Sequence, residues 1–170
     1  SNTAADGICN EERYSELLGK YFDAEVFNYA ISGTGTDQQY LIWEKFAKKI
    51  EPDLIVIHGD RIEPLACAIV GSLNNIKVVH IEGGEVSGTV DELIRHSVTK
   101  LSHIHMVTNN LAKRRLIQMG EKPNNIFVIG SPDVDIILSK NIPTLLKVKK
   151  RYAINFDRYS VALLHPVTTE

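Results

Sequence analysis

Two acids flank two glycines at the end of an apolar run, in His80-Ile81-Glu82-Gly83-Gly84-Glu85. A carboxylate at such a place, partly shielded by aliphatic neighbours, is the kind whose pKa rises toward neutrality and that carries a proton in either direction. The glycines permit positive φ and close approach of the backbone to a ligand. The plain alternative is a tight turn with Glu82 and Glu85 facing solvent. A further acid, Asp60, follows the apolar run that ends at His58-Gly59. Gly59 lets the chain turn sharply, which holds the Asp60 carboxylate at the edge of whatever sheet the run belongs to, with Arg61 beside it. There it can move a proton or bind a hydroxyl. The competing role is a helix N-cap, because Asp before a periodic apolar stretch commonly starts a helix.

Three other places carry polar groups with chemical potential. In Ser87-Gly88-Thr89-Val90-Asp91-Glu92-Leu93-Ile94-Arg95-His96 a loop feeds a helix, with Asp91 four residues before Arg95 and Glu92 four before His96. Each pair shares a helical face, so two ordinary salt bridges account for the spacing, while Asp91 also sits at the positive end of the helix dipole. Gly130-Ser131-Pro132 reads as a helix entry, with Ser131 as cap and Pro132 at the first helical position; the same N-terminus can hold phosphate or a hydroxyl. His165 precedes Pro166, which ends an apolar run, and an imidazole there can contact phosphate or shuttle a proton. His58 and His80 lie within apolar runs and read as satisfied groups in or near the core. His103 and His105 alternate about a strand start without metal-ligand partners, and no metal site or other cofactor is expected.

The elements that must position these residues alternate. Short aliphatic runs at 25–29, 53–58, 76–81, 104–108, 126–129 and 160–165 read as buried strands. Helical periodicity fills 11–21, 37–50, 63–73, 90–101, 109–119 and 132–139. That order predicts one α/β domain with a mainly parallel, doubly wound sheet in three layers, Rossmann-like or flavodoxin-like. Such sheets bind ligands at the carboxyl ends of their strands, where Asp60, Glu82, Ser131 and His165 fall.

The chain's 170 residues suffice for one core, and a formal net charge of -2 with 24% charged residues excludes a nucleic-acid-coating surface. A small-molecule partner or a second subunit is expected instead. No run is apolar and long enough to span a membrane, and the first residues lack a signal-peptide pattern. Cys9 and Cys67, far apart and without CxxC spacing, point to free thiols in the cytoplasm.

From about Glu51 to Glu170 the ordered set HGDR, HIEGGE, SGTVDELIRHS, LSHIHMVT, QMGEKP, IGSPD and HPVTTE closely resembles the hydrolysing UDP-N-acetylglucosamine 2-epimerases of bacterial sialic-acid biosynthesis. The resemblance implies a two-Rossmann-domain architecture and conversion of UDP-N-acetylglucosamine to N-acetylmannosamine and UDP. It places Asp60, Glu82 and Asp91 on the family's acidic catalytic positions and His165 on the histidine that reaches toward the nucleotide phosphates. Arg95 and His96 would orient the third acid or meet substrate charge, with Glu85, Gly130 and Ser131 in support. It also implies a second Rossmann domain beyond Glu170 that supplies most uridine and diphosphate contacts, so the chain alone is expected to be inactive. Its docking face would be apolar, which predicts self-association into a homo-oligomer.

The first 50 residues resemble a different family, the SGNH (GDSL-like) esterases and acyltransferases. Gly33, within Ser32-Gly33-Thr34-Gly35-Thr36-Asp37, would donate to an oxyanion hole, and Ser1 of Ser1-Asn2-Thr3 would be the nucleophile. That resemblance implies an ester hydrolase or acyltransferase as the alternative activity. The Gly-x-Asn-Asp and Asp-x-x-His features of that family have no counterpart here. The two resemblances meet near Ile50-Glu51-Pro52-Asp53, which predicts a recombinant of two α/β folds or a non-catalytic chimera.

Overall fold

The computed structural model describes residues 19–20, 23–27, 41–42, 44–46, 49–138 and 142–162. Strands β1 (Leu54–His58), β2 (Lys77–Ile81), β3 (Ile104–Val107) and β4 (Ile126–Val128) form a parallel sheet in the order β1-β2-β3-β4. Helices α1 (Ile62–Leu73), α2 (Val90–Leu101) and α3 (Asn110–Gln118) make the three crossovers. After β4 come α4 (Pro132–Leu138) and α5 (Leu145–Arg151). The parallel α/β, Rossmann-like class expected from the alternation is therefore present, with most boundaries within a residue of those read from the sequence.

Register explains where the core lies. Paired positions of a parallel ladder point to the same face, and Ile57↔His80↔His105↔Ile126 run across all four strands. On that face Ile57 and Val78 pack with Ala68 of α1 and Val98 of α2, joined by Ile55, Leu65, Cys67, Ile94 and Leu101. Farther along, Val107 and Ile126 pack with Ala112 and Leu116 of α3. All three crossover helices thus cover one face, as right-handed connections must when strand order advances in a single direction. On the opposite face Leu54, Val56 and Phe127, on the two outer strands, are 44%, 38% and 51% exposed, whereas Val79 and Ile81 of β2 are buried. Of the three expected layers, the described contacts comprise the sheet and this one helical layer.

Local chemistry starts and stops the helices. Asn109 caps α3, its side chain accepting from the Leu111 and Ala112 amides at 2.9 Å. Thr144 caps α5 through the Lys147 amide. At α2 the cap residue Thr89 makes no such bond; Glu92 reaches back instead to accept from the Ser87 and Gly88 amides at 2.8 and 2.7 Å. The first and last runs read as strands, 25–29 and 160–165, fare differently, and the helices read at 11–21 and 37–50 lie partly outside the described residues. Residues 25–27 and 160–162 carry no strand assignment, and the remainder of those two runs, with His165, Ser1 and Gly33, lies outside the described residues. Among the described residues no helix is long and apolar enough to cross a membrane.

Candidate active site at the strand tips

Because the strands are parallel, their carboxyl ends share one edge. His58 pairs with Ile81 in the register, so Gly59-Asp60 and Glu82 emerge from neighbouring tips. Gly59 turns at φ +91°, and its amide donates to the Ile81 carbonyl at 3.3 Å. Asp60 is not a helix cap: the N-cap of α1 is Arg61, without a side-chain bond. Its carboxylate instead accepts from the Arg95 guanidinium.

Arg95 is buried on α2 and bonds two other segments, the tip of β1 and the loop after β2. Besides Asp60 it donates to the Glu85 carbonyl at 2.8 Å and to the Ser87 hydroxyl at 3.3 Å. The i,i+4 spacing suggested Asp91 as its partner. The fold overrides that local choice because the buried guanidinium points down toward the tip of β1. Asp91, on the first turn of α2, makes no hydrogen bond or ion pair among the described residues. The three acids therefore do not form one bonded cluster: Asp60 and Glu82 emerge at adjacent strand tips, and the Asp91 side chain is bonded to neither.

Glu82 has an uncommon backbone for its type, left-handed at φ +68°. Its amide donates to the Met106 carbonyl at 2.9 Å, which fixes that conformation at the tip of β2. Such a residue costs on the order of 1–3 kcal/mol and concentrates at functional sites. The strain aims the side chain toward β1, where Glu82 Oε2 lies 2.8 Å from His58 Nε2. The Ser131 hydroxyl, at the entry to α4, is placed to donate to the same carboxylate.

The electrostatics reverse the expectation for this acid. The hydrogen bond from His58 holds the Glu82 carboxyl below its usual range and outweighs burial, which pushes the other way; Arg95 adds to the lowering. His58 in turn is raised above 6.5, first by the bond to Glu82, with smaller contributions from Asp133 and Asp60, against the opposing pull of burial. An aliphatic environment alone would have raised Glu82, but a histidine partner was not read from the sequence.

The two glycines after Glu82 serve the scaffold. A Cβ on Gly84, which has φ +82°, would stand 2.7 Å from the Ala112 carbonyl oxygen of α3. One on Gly83 would come within 3.0 Å of both His80 Nδ1 and Thr99 Oγ1. The close approach is thus to the protein's own helices. Glu85 is likewise occupied: it accepts from Thr108 and from Asn109 at 2.9 Å and pairs with Arg115 at 3.5 Å, tying its loop to β3 and α3.

His96 stays near Glu92 at 3.8 Å, the helical spacing read from the sequence, with its Nδ1 buried and unpartnered. His80 is fully buried between Thr99 Oγ1 at 3.2 Å and the Gly59 carbonyl at 3.0 Å, and burial lowers it to about 4, so it is neutral and pins the turn that carries Asp60. A concavity of about 380 Å³ follows Gly88, Thr89, Val90, Glu92 and Leu93, and one of about 880 Å³ lies against α5; neither is lined by Asp60 or Glu82. Among the described residues no three His, Cys, Asp or Glu side chains group as a metal site.

Residues 36–170 match the family described as UDP-N-acetylglucosamine 2-epimerase. The chain belongs to this epimerase family. A Neisseria meningitidis serogroup B protein named UDP-N-acetylglucosamine 2-epimerase is 54% identical over 126 residues, covering 74% of this chain and 33% of that one. The Legionella pneumophila UDP-N,N'-diacetylbacillosamine 2-epimerase (hydrolyzing) is 46% identical over 120 residues, 70% of this chain and 32% of its own. The Escherichia coli polysialic acid biosynthesis protein P7 is 40% identical over 117 residues, 68% of this chain and 30% of its own. The chain thus spans about a third of the length of the curated relatives it matches. Among solved structures, the Methanocaldococcus jannaschii UDP-GlcNAc 2-epimerase aligns with a TM-score of 0.57 at 29% identity, over 74% of this chain and 37% of that one.

The epimerase match begins at residue 36, so residues 36–50, read above as the end of an SGNH-like segment, lie inside the epimerase family. The SGNH resemblance, with Ser1 and Gly33 as its site, has no support from these comparisons, and the junction near Ile50-Glu51 is not where the family match starts.

Proposed function

We propose that the chain is the substrate-facing part of a hydrolysing UDP-N-acetylglucosamine 2-epimerase, which eliminates UDP and returns N-acetylmannosamine for sialic-acid synthesis. The observation that carries the reading is the meeting of Asp60 and Glu82 at adjacent strand tips, with Glu82 held in a left-handed backbone toward His58. Loss of UDP requires removal of a weakly acidic proton at C2 of the sugar, and hydration of the resulting glycal requires its return, so two or more acid/base groups must line one ring. Asp60, Glu82 and Asp91 fill those roles, Asp91 from the first turn of α2. Arg95 holds Asp60 in place, His96 and Ser131 border the sugar, and His165 serves the phosphates. Two relatives support the reading: a Methanocaldococcus jannaschii structure is a complex with UDP-GlcNAc and UDP, which supports the substrate class, and the Escherichia coli relative is a polysialic acid biosynthesis protein, which supports the pathway. The free thiol of Cys67 fits a reducing, cytoplasmic setting.

Incubation of the full-length protein with UDP-N-acetylglucosamine, with free UDP and N-acetylmannosamine measured, tests this; the chain by itself, about a third of its relatives' length, is expected to be inactive. Production of both, reduced about 10²-fold or more in Asp60→Asn and in Glu82→Gln, is the expected result. Turnover that survives both substitutions would remove these acids from the reaction.

A further inference from the structure

We propose that His58 is the positioning residue of Glu82: it fixes the carboxylate in its charged form across the tips of β1 and β2, so that Glu82 meets substrate as an acceptor of protons. The inference deepens the epimerase reading and rests on it. Its ground is geometry. His58 is the last residue of β1 and Glu82 the first after β2, and their side chains, 11% and 26% exposed, meet at 2.8 Å. The Glu82 main chain is already committed by its left-handed φ and by the bond from its amide to the Met106 carbonyl, and its carboxylate is held at this tip by His58 and by the Ser131 hydroxyl. His58 was free to be an ordinary core histidine, as His80 is, with partners only from backbone and threonine. It lies instead on the opposite sheet face from His80.

The charges around the pair are all identifiable. Facing His58 are Glu82, Asp60 beyond its own strand and Asp133 of α4, with the neutral His80 behind. Facing Glu82 are His58, Arg95 of α2 and the uncharged Ser131. His58 is raised from 6.5, principally by the Glu82 bond, and Glu82 is lowered from 4.5, principally by the His58 bond. The pair is therefore doubly charged throughout the interval between those two ordinary values. It is lost as pH rises through the raised value of His58 or falls through the lowered value of Glu82.

Site-resolved NMR titration of the His58 ring nitrogens and the Glu82 side-chain carboxyl carbon, in wild type, Glu82→Gln and His58→Gln, tests the proposal. Glutamine keeps a hydrogen-bonding group at either position, which protects folding. In Glu82→Gln the proton affinity of His58 is expected to drop about tenfold, and in His58→Gln that of Glu82 to rise about tenfold. Titration midpoints that stay in place in both variants would overturn the pairing. In the UDP-release assay, His58→Gln is expected to move the acid limb of kcat/KM to higher pH; a merely structural histidine would lower the melting temperature and leave that limb where it is, which would overturn the positioning role. Absence of UDP release from the full-length wild type would count against the epimerase reading alone, since the NMR midpoints decide the pairing without turnover.

Discussion

The Arg95 guanidinium, buried on α2, bonds the Asp60 carboxylate at the tip of β1 and the Glu85 carbonyl in the loop after β2. One side chain thereby couples a helix, a strand end and a loop that are far apart in sequence. A charge this buried is stabilised only while its partners remain, because desolvation has already been incurred.

Arg95→Ala should for that reason destabilise the fold by about 2–4 kcal/mol, less than a fully buried pair would, since Asp60 keeps partial contact with water. Asp60→Asn preserves shape but leaves the guanidinium with a neutral partner, at a cost of about 1–3 kcal/mol. Urea unfolding of both variants checks this. An unchanged midpoint in Arg95→Ala would mean that the guanidinium holds nothing together.

Two glycines at strand tips separate backbone strain from steric collision. Both Gly59 and Gly84 have positive φ, at +91° and +82°, but a Cβ on Gly59 meets nothing within 4 Å, while one on Gly84 meets the α3 backbone. Gly59→Ala should cost about 1–2 kcal/mol, the conformational part alone. Gly84→Ala should cost more, by about 1–3 kcal/mol, because Ala112 must move with its helix. Equal costs by thermal or urea unfolding would show that α3 yields freely.

These sites also mark how far the sequence could be read. Alternation of aliphatic runs with helical periodicity located β1 to β4 and α1 to α3, because a buried parallel strand and an amphipathic helix each leave a strong pattern. The positions of Asp60, Glu82 and Ser131 at strand tips followed from that order. The partners did not follow. Spacing offered Asp91 to Arg95, and only the register of β1 against β2 shows that Asp60 is the acid in reach. Likewise, Glu82 was expected to rise because its sequence neighbours are apolar, whereas His58, twenty-four residues earlier, lowers it. The signal that was present and unused is that His58 immediately precedes Gly59-Asp60, at the last position of its strand. The glycine pair was legible as a close approach, but to what depended on where α3 packs.

The pH dependence of stability should be governed by His80. Burial lowers it from 6.5 to about 4, with the Gly59 carbonyl bond opposing and the charges of His105, His58 and Arg95 adding to the lowering. An unfolded chain therefore binds a proton near 6.5 that the folded one refuses until about 4, so stability is full above 6.5 and falls as pH drops toward 4. Between pH 7.5 and 5 this one group removes about 2 kcal/mol. His105, lowered chiefly by burial, acts in the same direction. His58, raised by Glu82, acts in the opposite one, since its contribution is complete below 6.5 and disappears as pH rises through its folded value. Absolute slopes mix these effects, but a difference isolates His80. Urea unfolding at pH 7.5 and 5 should show that His80→Gln, although less stable at the higher pH for want of an equal fit between Thr99 and Gly59, loses about 2 kcal/mol less than wild type on acidification. Parallel losses in the two proteins would mean that His80 takes up its proton at the same pH folded as unfolded, so that burial leaves its proton affinity unchanged.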